Sequence, residues 1–488
     1  MPVSDARHLV RSTQHTLDDL NDFSAHSLRL KLVEYLGSGN DSTFSGENLM
    51  GEAALAVKLL PVEDLAAPKA VLHTDETQLD VLYPARQIPV PSSTNSPLSL
   101  AIAEELQGIF NEEKATIAHI LWGSNAADAN MNSAVPLNSP VERAIRNRFS
   151  PQLKEDISRR MRRSLGYAET YHLTFSLFTP EPRPSSWDVE AAVQETLAPL
   201  LQAFTSISRF TVDTQVQIYA TFSPTAPPPK YDESQKAWTL EEEDLSAFIN
   251  TAEWPLSPSI GAGPTINFIL YVPSPSQHPL LVKENRASSW IIPQWGGVVL
   301  LNPPLVSAAG QGLTNPTHLS QESLHSAFLT FSHQLLALLG MPATPASLPL
   351  RLQALTRIHT ASLLLSASTT MGSLVRLTES LPSIPIPAKV AASVSMTLSH
   401  LSATCSHLHQ GHFTAALASA RVAETEAERS FFEKSMVGQV YFPDEHKIAV
   451  YLPLLGPIGV PLTVGLLKEL KRLLNEYKVK RRHARDRS

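Results

Sequence analysis

At 488 residues with a net charge of −7, the chain is long enough for two or three folding units, and its acidic body excludes nucleic acid as a ligand. The single cysteine, Cys405, excludes an intrachain disulfide framework. Thirty-eight prolines, many of them clustered, imply short elements joined by many loops.

The N-terminal stretch MPVSDARHLVRSTQHTLDDL holds no apolar run of the signal-peptide or membrane-spanning kind. Ser24 to Leu36 reads as helix or strand, and Gly37 to Gly51 as a loop. No GKS or GKT follows Gly37 and Gly39, so the loop lacks the lysine of a phosphate-binding turn. It does carry Asn40-Asp41-Ser42, the one acceptable N-glycosylation sequon, because Pro316 spoils Asn315. Asn40 is therefore the glycosylation candidate. Ala53 to Leu60 and Leu79 to Leu82 predict short strands, and apolar residues at helical spacing predict a helix between Pro97 and Leu121. After a polar linker from Asn125 to Pro140, Ser150 to Leu165 reads as a basic amphipathic helix whose Arg159, Arg160, Arg162 and Arg163 form a solvated face.

Tyr171 to Phe178 is the first clear strand, stopped by Pro180 and Pro182. A helix from Trp187 to Ala203 and a β-branched stretch from Phe210 to Phe222 complete a strand–helix–strand order, which predicts an α/β layer. Pro224 to Pro229 interrupts it as a loop. Ile266 to Val272 is apolar except for Asn267, as a strand buried on both faces should be. A further strand is predicted at Gly297 to Leu301. From His318 onward the pattern turns helical, with helices at Ser320–Leu339, Leu348–Leu381 (broken near Gly372), Val390–His409 and Thr414–Phe432.

Ile448 to Leu467 contains no charged residue, and at 1.5 Å per residue such a run spans a hydrocarbon core of ~30 Å. Pro453, Pro457 and Pro461 recur at every fourth position, a pattern that membrane helices tolerate better than soluble ones. The basic residues that follow, from Lys468 to Arg487, place the tail in the cytosol and the body on the other side of the membrane. That topology needs a way into the lumen. The expectation is that a segment ahead of Met1 is missing; the alternative is a tail-anchored protein with a cytosolic body.

Candidate chemistry is sparse. There is no G-x-S-x-G elbow, and Cys405 lies in ATCSHLHQ, outside any cysteine-protease context. Cys405 and His409 are one helical turn apart, too few ligands for zinc. Glu241 to Asp244 has the composition of a metal site without its spacing. No catalytic residue, metal ligand or cofactor is expected.

Four stretches carry a family resemblance: YHLTFSLFTPEP, NFILYVPSPSQHPL, IIPQWGGVVLLNP and YFPDEHKIAVYLPLLGPIGVPLTVGLLKEL. In this order and at these distances they resemble the PIG-S family, from about Leu165 to Lys480. Its landmarks here are Trp295, Gly296 and Gly297, and Phe442, Pro443 and Asp444 ahead of the apolar run. The resemblance implies a non-catalytic subunit of the endoplasmic reticulum transamidase that attaches glycosylphosphatidylinositol (GPI) anchors. It also implies a luminal α/β domain between two membrane spans, and partner subunits that include a caspase-like cysteine protease. The N-terminal span of that pattern is not found. A luminal hydrolase or transferase is the remaining alternative.

The expected organisation is a weakly assigned region at 1–150, an α/β core (a mixed sheet flanked by helices) at 151–317 and a helical segment at 318–443. A transmembrane helix at 448–467 and a basic cytosolic tail at 468–488 follow. Pro453, Pro457 and Pro461 lie close to one helix face, and with Gly456 and Gly459 nearby they form a candidate interface with other membrane helices.

Overall fold

The computed structural model describes residues 3–33, 54–84, 96–128, 149–220, 227–245, 263–308, 312–380, 386–434 and 444–485. Asn40, Phe442, Pro443 and the loop at 37–51 lie outside the described residues. The chain divides into two units: Met1–Leu365 with Ala403–Arg421, and Ser366–Ser402 with Val422–Ser488.

The first unit begins with α1 (Val3–Leu20), β1 (Ala56–Val62), β2 (Lys69–Leu72), β3 (Gln78–Pro84), α2 (Pro97–Asp128) and α3 (Pro151–Arg163). β3 lies between parallel β1 and antiparallel β2. Its alternate residues Leu79, Val81 and Tyr83 are buried against Leu98, Ile102 and Leu106 of α2 and Leu9 and Leu17 of α1. α1 has a thin apolar stripe, and Ser12 and Thr13 take up buried positions on it; Ser12 bonds Ser99 of α2 at 3.2 Å. Residues 27–33, expected within a helix or strand, form neither. Ser150 caps α3 by accepting from the Leu153 N–H at 3.2 Å, and Pro151 takes the first helical position, where a missing N–H costs nothing.

The remaining strands are β4 (Thr170–Thr179), β5 (Ser186–Trp187), β6 (Arg209–Ile218), β7 (Lys230–Asp232), β8 (Ala237–Leu240), β9 (Thr265–Tyr271), β10 (Leu280–Val282), β11 (Ser289–Ile292), β12 (Gly296–Leu300), β13 (Val306–Ala308), β14 (Gly312–Thr314) and β15 (His318–Leu319). The helices are α4 (Val189–Thr196), α5 (Ala198–Ala203), α6 (Gln321–Leu338), α7 (Leu348–Ser380), α8 (Ala388–Gln410), α9 (Phe413–Phe431) and α10 (Asp444–Arg485). A five-stranded sheet of order β11-β12-β9-β4-β6 is parallel except for β11. One face carries Leu173, Phe175 and Leu177 of β4 and Ile266, Phe268 and Leu270 of β9, packed under Leu324, Phe328, Phe331 and Leu335 of α6. Ring centroids here lie 5.1 Å apart for Phe175 and Phe268 and 5.3 Å for Phe175 and Phe328. β9 is buried on both faces, as its sequence requires.

The expected mixed sheet with flanking helices is present, and its other face is covered by strands. Phe178, Ile269, Tyr271, Val298 and Leu300 pack against Leu240, Leu280 and Val282 of a small sheet of order β10-β8-β7. The segments AWTL and LLV are too short to form helices, and their alternating side chains suit a strand laid on a sheet. α7 runs unbroken through Gly372, because one glycine costs a helix only about 1 kcal/mol. In the second unit, Ala367, Met371 and Leu374 of α7 pack with Val390 of α8 and Ala423 and Ala427 of α9.

Two neighbouring carboxylates on α2 tie the first unit together. Glu112 accepts from the backbone N–H groups of Ala343 (3.0 Å) and Thr344 (2.7 Å), from the Thr344 hydroxyl (2.6 Å) and from Arg160 of α3. Arg160 is buried, so it does not belong to the expected solvated face; Arg159 and Arg162 do. Glu113 takes a two-pronged bond from Arg357 of α7, at 2.6 and 2.7 Å, with His26 at 3.4 Å. Burial alone pushes the Glu113 carboxyl up, but Arg357 and His26 outweigh it and hold the group at about 2. Glu112 is also held below the usual carboxylate range: burial opposes this, and the Thr344, Ala343 and Arg160 bonds overcome it.

β12 needs two adjacent glycines. A Cβ on Gly296 would fall on the Asn267 carbonyl oxygen, and one on Gly297 on the Gln334 side-chain oxygen. Gln334 of α6 reaches through the gap at Gly297 and donates to the carbonyls of Trp290 (3.0 Å) and Val298 (3.3 Å).

A carboxylate whose folded pKa is depressed stabilises the fold above its unfolded pKa, and the contribution is lost as pH falls toward the folded value. The protein should therefore lose stability between its ordinary value of 4.5 and about 2 through Glu113. Glu113→Gln should lower stability at neutral pH by roughly 3–5 kcal/mol, by stranding Arg357, and flatten that acid limb. Melting curves across the window check both. Gly296→Ala should lower the melting midpoint more than Gly297→Ala, because main chain cannot move aside. In a double-mutant cycle, Gln334→Ala should partly relieve Gly297→Ala and leave Gly296→Ala unrelieved.

Candidate functional site

Among the described residues, the longest run of exposed large apolar side chains belongs to α10. Its segment from Ala449 to Lys478 is long and apolar enough to cross a membrane, and its 30 residues extend ~45 Å at 1.5 Å per residue. Val450, Leu452, Leu454, Leu455, Ile458, Val460, Leu462, Val464, Leu466 and Leu467 are all exposed. At ~1.5–3 kcal/mol for burying each such side chain, removal from water favours lipid by on the order of 20 kcal/mol. The chain is fitted for membrane anchoring at this helix.

α10 passes through Pro453, Pro457 and Pro461 without a break. Each proline leaves the carbonyl one turn earlier without its usual donor. Thr463 turns its hydroxyl back onto the helix, 2.9 Å from the Gly459 carbonyl and 3.0 Å from that of Val460. A Cβ built on Gly456 or Gly459 meets nothing within 4 Å, so this face is open to another helix. The helix continues past the apolar stretch into the basic segment as far as Arg485. There, Arg472 meets Glu476 at 3.3 Å and Glu469 at 3.8 Å.

Trp295, Gly296 and Gly297 come together for a structural purpose. The Trp295 carbonyl accepts from the Asn267 N–H at 3.1 Å, its indole packs with the cluster under the small sheet, and the glycines permit the close approaches described above. Asp444 opens α10.

The titratable groups elsewhere are arranged for packing. Cys405 is exposed. Among the described residues no three His, Cys, Asp or Glu side chains are grouped to hold a metal ion. Glu241 pairs with Lys283 at 2.8 Å on the surface. Burial, with Arg421 close by, pushes His359 down to about 4 and keeps its imidazole neutral beside Tyr167, whose ring lies 4.9 Å away. Arg421 stacks over that ring at 5.2 Å and donates to the Ile207 carbonyl, which also accepts from Tyr167 at 3.1 Å. Burial, and then the neighbouring Glu428, raise Glu424 on α9. The buried partners Glu112, Glu113, Arg160 and Arg357 escaped sequence reasoning, since residues this far apart in the chain give no local signal of pairing.

Comparison with known proteins gives these features a family. Residues 1–476 match the family described as phosphatidylinositol-glycan biosynthesis class S protein, PIG-S. The GPI transamidase component PIG-S homolog of Schizosaccharomyces pombe is 31% identical over 357 residues, covering 68% of this chain and 62% of that protein. The GPI-anchor transamidase component PIGS of Bos taurus is 29% identical over 334 residues, covering 64% and 58%. The GPI transamidase component GPI17 of Saccharomyces cerevisiae is 24% identical over 329 residues, covering 63% and 59%. The matched regions thus span about 58–62% of the length of these relatives. With a family match that runs from the first helix into the basic end of α10, the chain belongs to the PIG-S family.

Proposed function

We propose that this chain is a non-catalytic structural subunit of the endoplasmic reticulum GPI transamidase, supporting the transfer of preformed GPI anchors to the C-termini of substrate proteins. The observation that carries this reading is its similarity to relatives named as components of that enzyme. In this role α10 anchors the chain, the basic segment after Lys468 lies in the cytosol, and the body lies in the lumen. The cleaving and transferring chemistry belongs to a caspase-like cysteine-protease subunit, and this chain supplies rigid surfaces for that subunit and its neighbours. The surface around Pro453, Pro457 and Pro461, with Gly456 and Gly459 nearby, meets membrane helices of other subunits, where small residues permit close backbone approach.

Expression in yeast cells lacking their own PIG-S relative tests the reading. The chain should co-purify with transamidase subunits in mild detergent and restore surface display of a GPI-anchored reporter. Failure of both would refute it. Replacing Pro453, Pro457 and Pro461 together by alanine should reduce co-purification several-fold while the chain stays membrane-bound; unchanged recovery removes the proposed interface. Luminal placement predicts that the body resists protease in sealed microsomes until detergent is added. It also predicts a glycosidase-sensitive mobility shift that Asn40→Gln abolishes. Digestion of the body with the membrane intact would instead support a tail-anchored cytosolic adaptor.

A further inference from the structure

β6 closes one end of the central sheet, and among the described residues β4 is its sole partner. The register runs one-for-one from Thr170 opposite Arg209 to Thr179 opposite Ile218, without a bulge. The Arg209 N–H donates to the Glu169 carbonyl at 2.8 Å, which fixes the phase of the ladder. In a parallel strand, successive residues direct their main-chain groups to opposite sides. Arg209, Thr211, Asp213, Gln215 and Gln217 therefore face β4. Phe210, Val212, Thr214, Val216 and Ile218 present their N–H and C=O groups outward.

Unprotected edges invite strand pairing, and proteins commonly blunt them with short strands, lysine, proline or bulges. Every other described sheet edge in this chain follows that practice. β1 carries Lys58 and Pro61; β2 has four residues and begins with Lys69; β11 has four residues. β7, β10, β13 and β14 have three residues each, and β5 and β15 two. β6 has ten residues, RFTVDTQVQI, with no proline, lysine or bulge, and extends ~33 Å. Val212, Val216 and Ile218 are 38%, 40% and 40% exposed and form an apolar stripe along one side of this edge. Asp213 and Gln215 lie on the other face.

We propose that the outer edge of β6 is a docking strand, on which an extended segment of another transamidase component adds as a further strand of the sheet. Main-chain bonds to residues 210–218 hold the segment, and small or β-branched apolar residues at alternate positions cover Val212, Val216 and Ile218. The identity of the occupant rests on the subunit reading above; the geometry of the edge does not.

Proline substitution separates the two edges of one strand. At Thr214 or Val216 it removes an outward N–H and leaves the β4 ladder intact, a position where edge strands tolerate proline. In full-length chain extracted in mild detergent, Thr214→Pro and Val216→Pro should each lower recovery of transamidase components at least tenfold. The melting midpoint of the chain alone should stay near that of the unsubstituted chain. Val306→Lys, a charge on the three-residue β13, should leave recovery unchanged. Undiminished recovery with both proline variants overturns the docking strand. So does a large fall in the midpoint of the isolated chain, which would show that the edge serves its own fold. Loss of self-association alone, seen by light scattering, overturns it in favour of a second copy. Failure of the subunit reading has a different signature, since the unsubstituted chain would then recover no components.

Discussion

Two adjacent carboxylates at the middle of α2 hold together parts of the chain that are distant in sequence. Successive helical residues point about 100° apart, so Glu112 and Glu113 address different neighbours. Glu112 takes the loop after α6 and Arg160 of α3; Glu113 takes Arg357 of α7 and His26 after α1. Gly340, at φ +73, turns the chain out of α6 so that Ala343 and Thr344 can present their N–H groups to Glu112. An isolated buried charge is costly, and these partners are what make the carboxylates tolerable. Phe110 and Phe413 lie 5.8 and 4.7 Å from the Arg357 guanidinium and shield the pair from water, which strengthens it. The N-terminal helices and small sheet are thereby tied to the α/β core by charge as well as by packing.

Within the core, the close approach of α6 to β12 depends on what is absent. The missing side chains at Gly296 and Gly297 let Asn267 main chain and the Gln334 side chain enter space that any Cβ would fill. The motif that stands out in the sequence as a family landmark is thus explained by packing. That matters for function, because a Trp-Gly-Gly strand beside proline-rich turns invites a search for a binding loop. Its geometry serves the sheet.

The sequence revealed what is periodic and local. β4, β9 and β12 and the helices from α6 to α9 each follow from apolar spacing with proline or glycine nearby, and their ends fall within a few residues of those expected; the apolar run of α10 was as plain, but its helix continues to Arg485, well past the expected end at Leu467. α1 was missed because its buried side includes Ser12 and Thr13, which a hydrophobic count passes over. The arginine cluster of α3 misled because Arg160 differs from Arg159 and Arg162 only in facing Glu112, a residue 48 positions away. The β10-β8-β7 layer was not legible, because segments of three or four residues carry too few alternations to set a period. For the candidate site, the membrane helix could be read directly. The open edge of β6 could not, because an edge is a property of strand order and not of any strand's own residues.

That last distinction bears on how the proposed structural subunit would do its work. A chain that positions others needs surfaces whose geometry is fixed before binding, since ordering a flexible segment consumes part of the binding energy. β6 is held along its full length by β4, whose other edge is held by β9, so the outward groups of β6 are set in place by the most deeply buried strands of the protein. α10 is likewise a single helix from Asp444 to Arg485, with prolines that open carbonyls without breaking it. Among the described residues, each surface presents main-chain groups that its own element leaves without a partner. A partner recognised through such groups is selected by backbone geometry first and by side chains second. Recognition of that kind tolerates the sequence divergence seen among these relatives, provided the supporting core is kept.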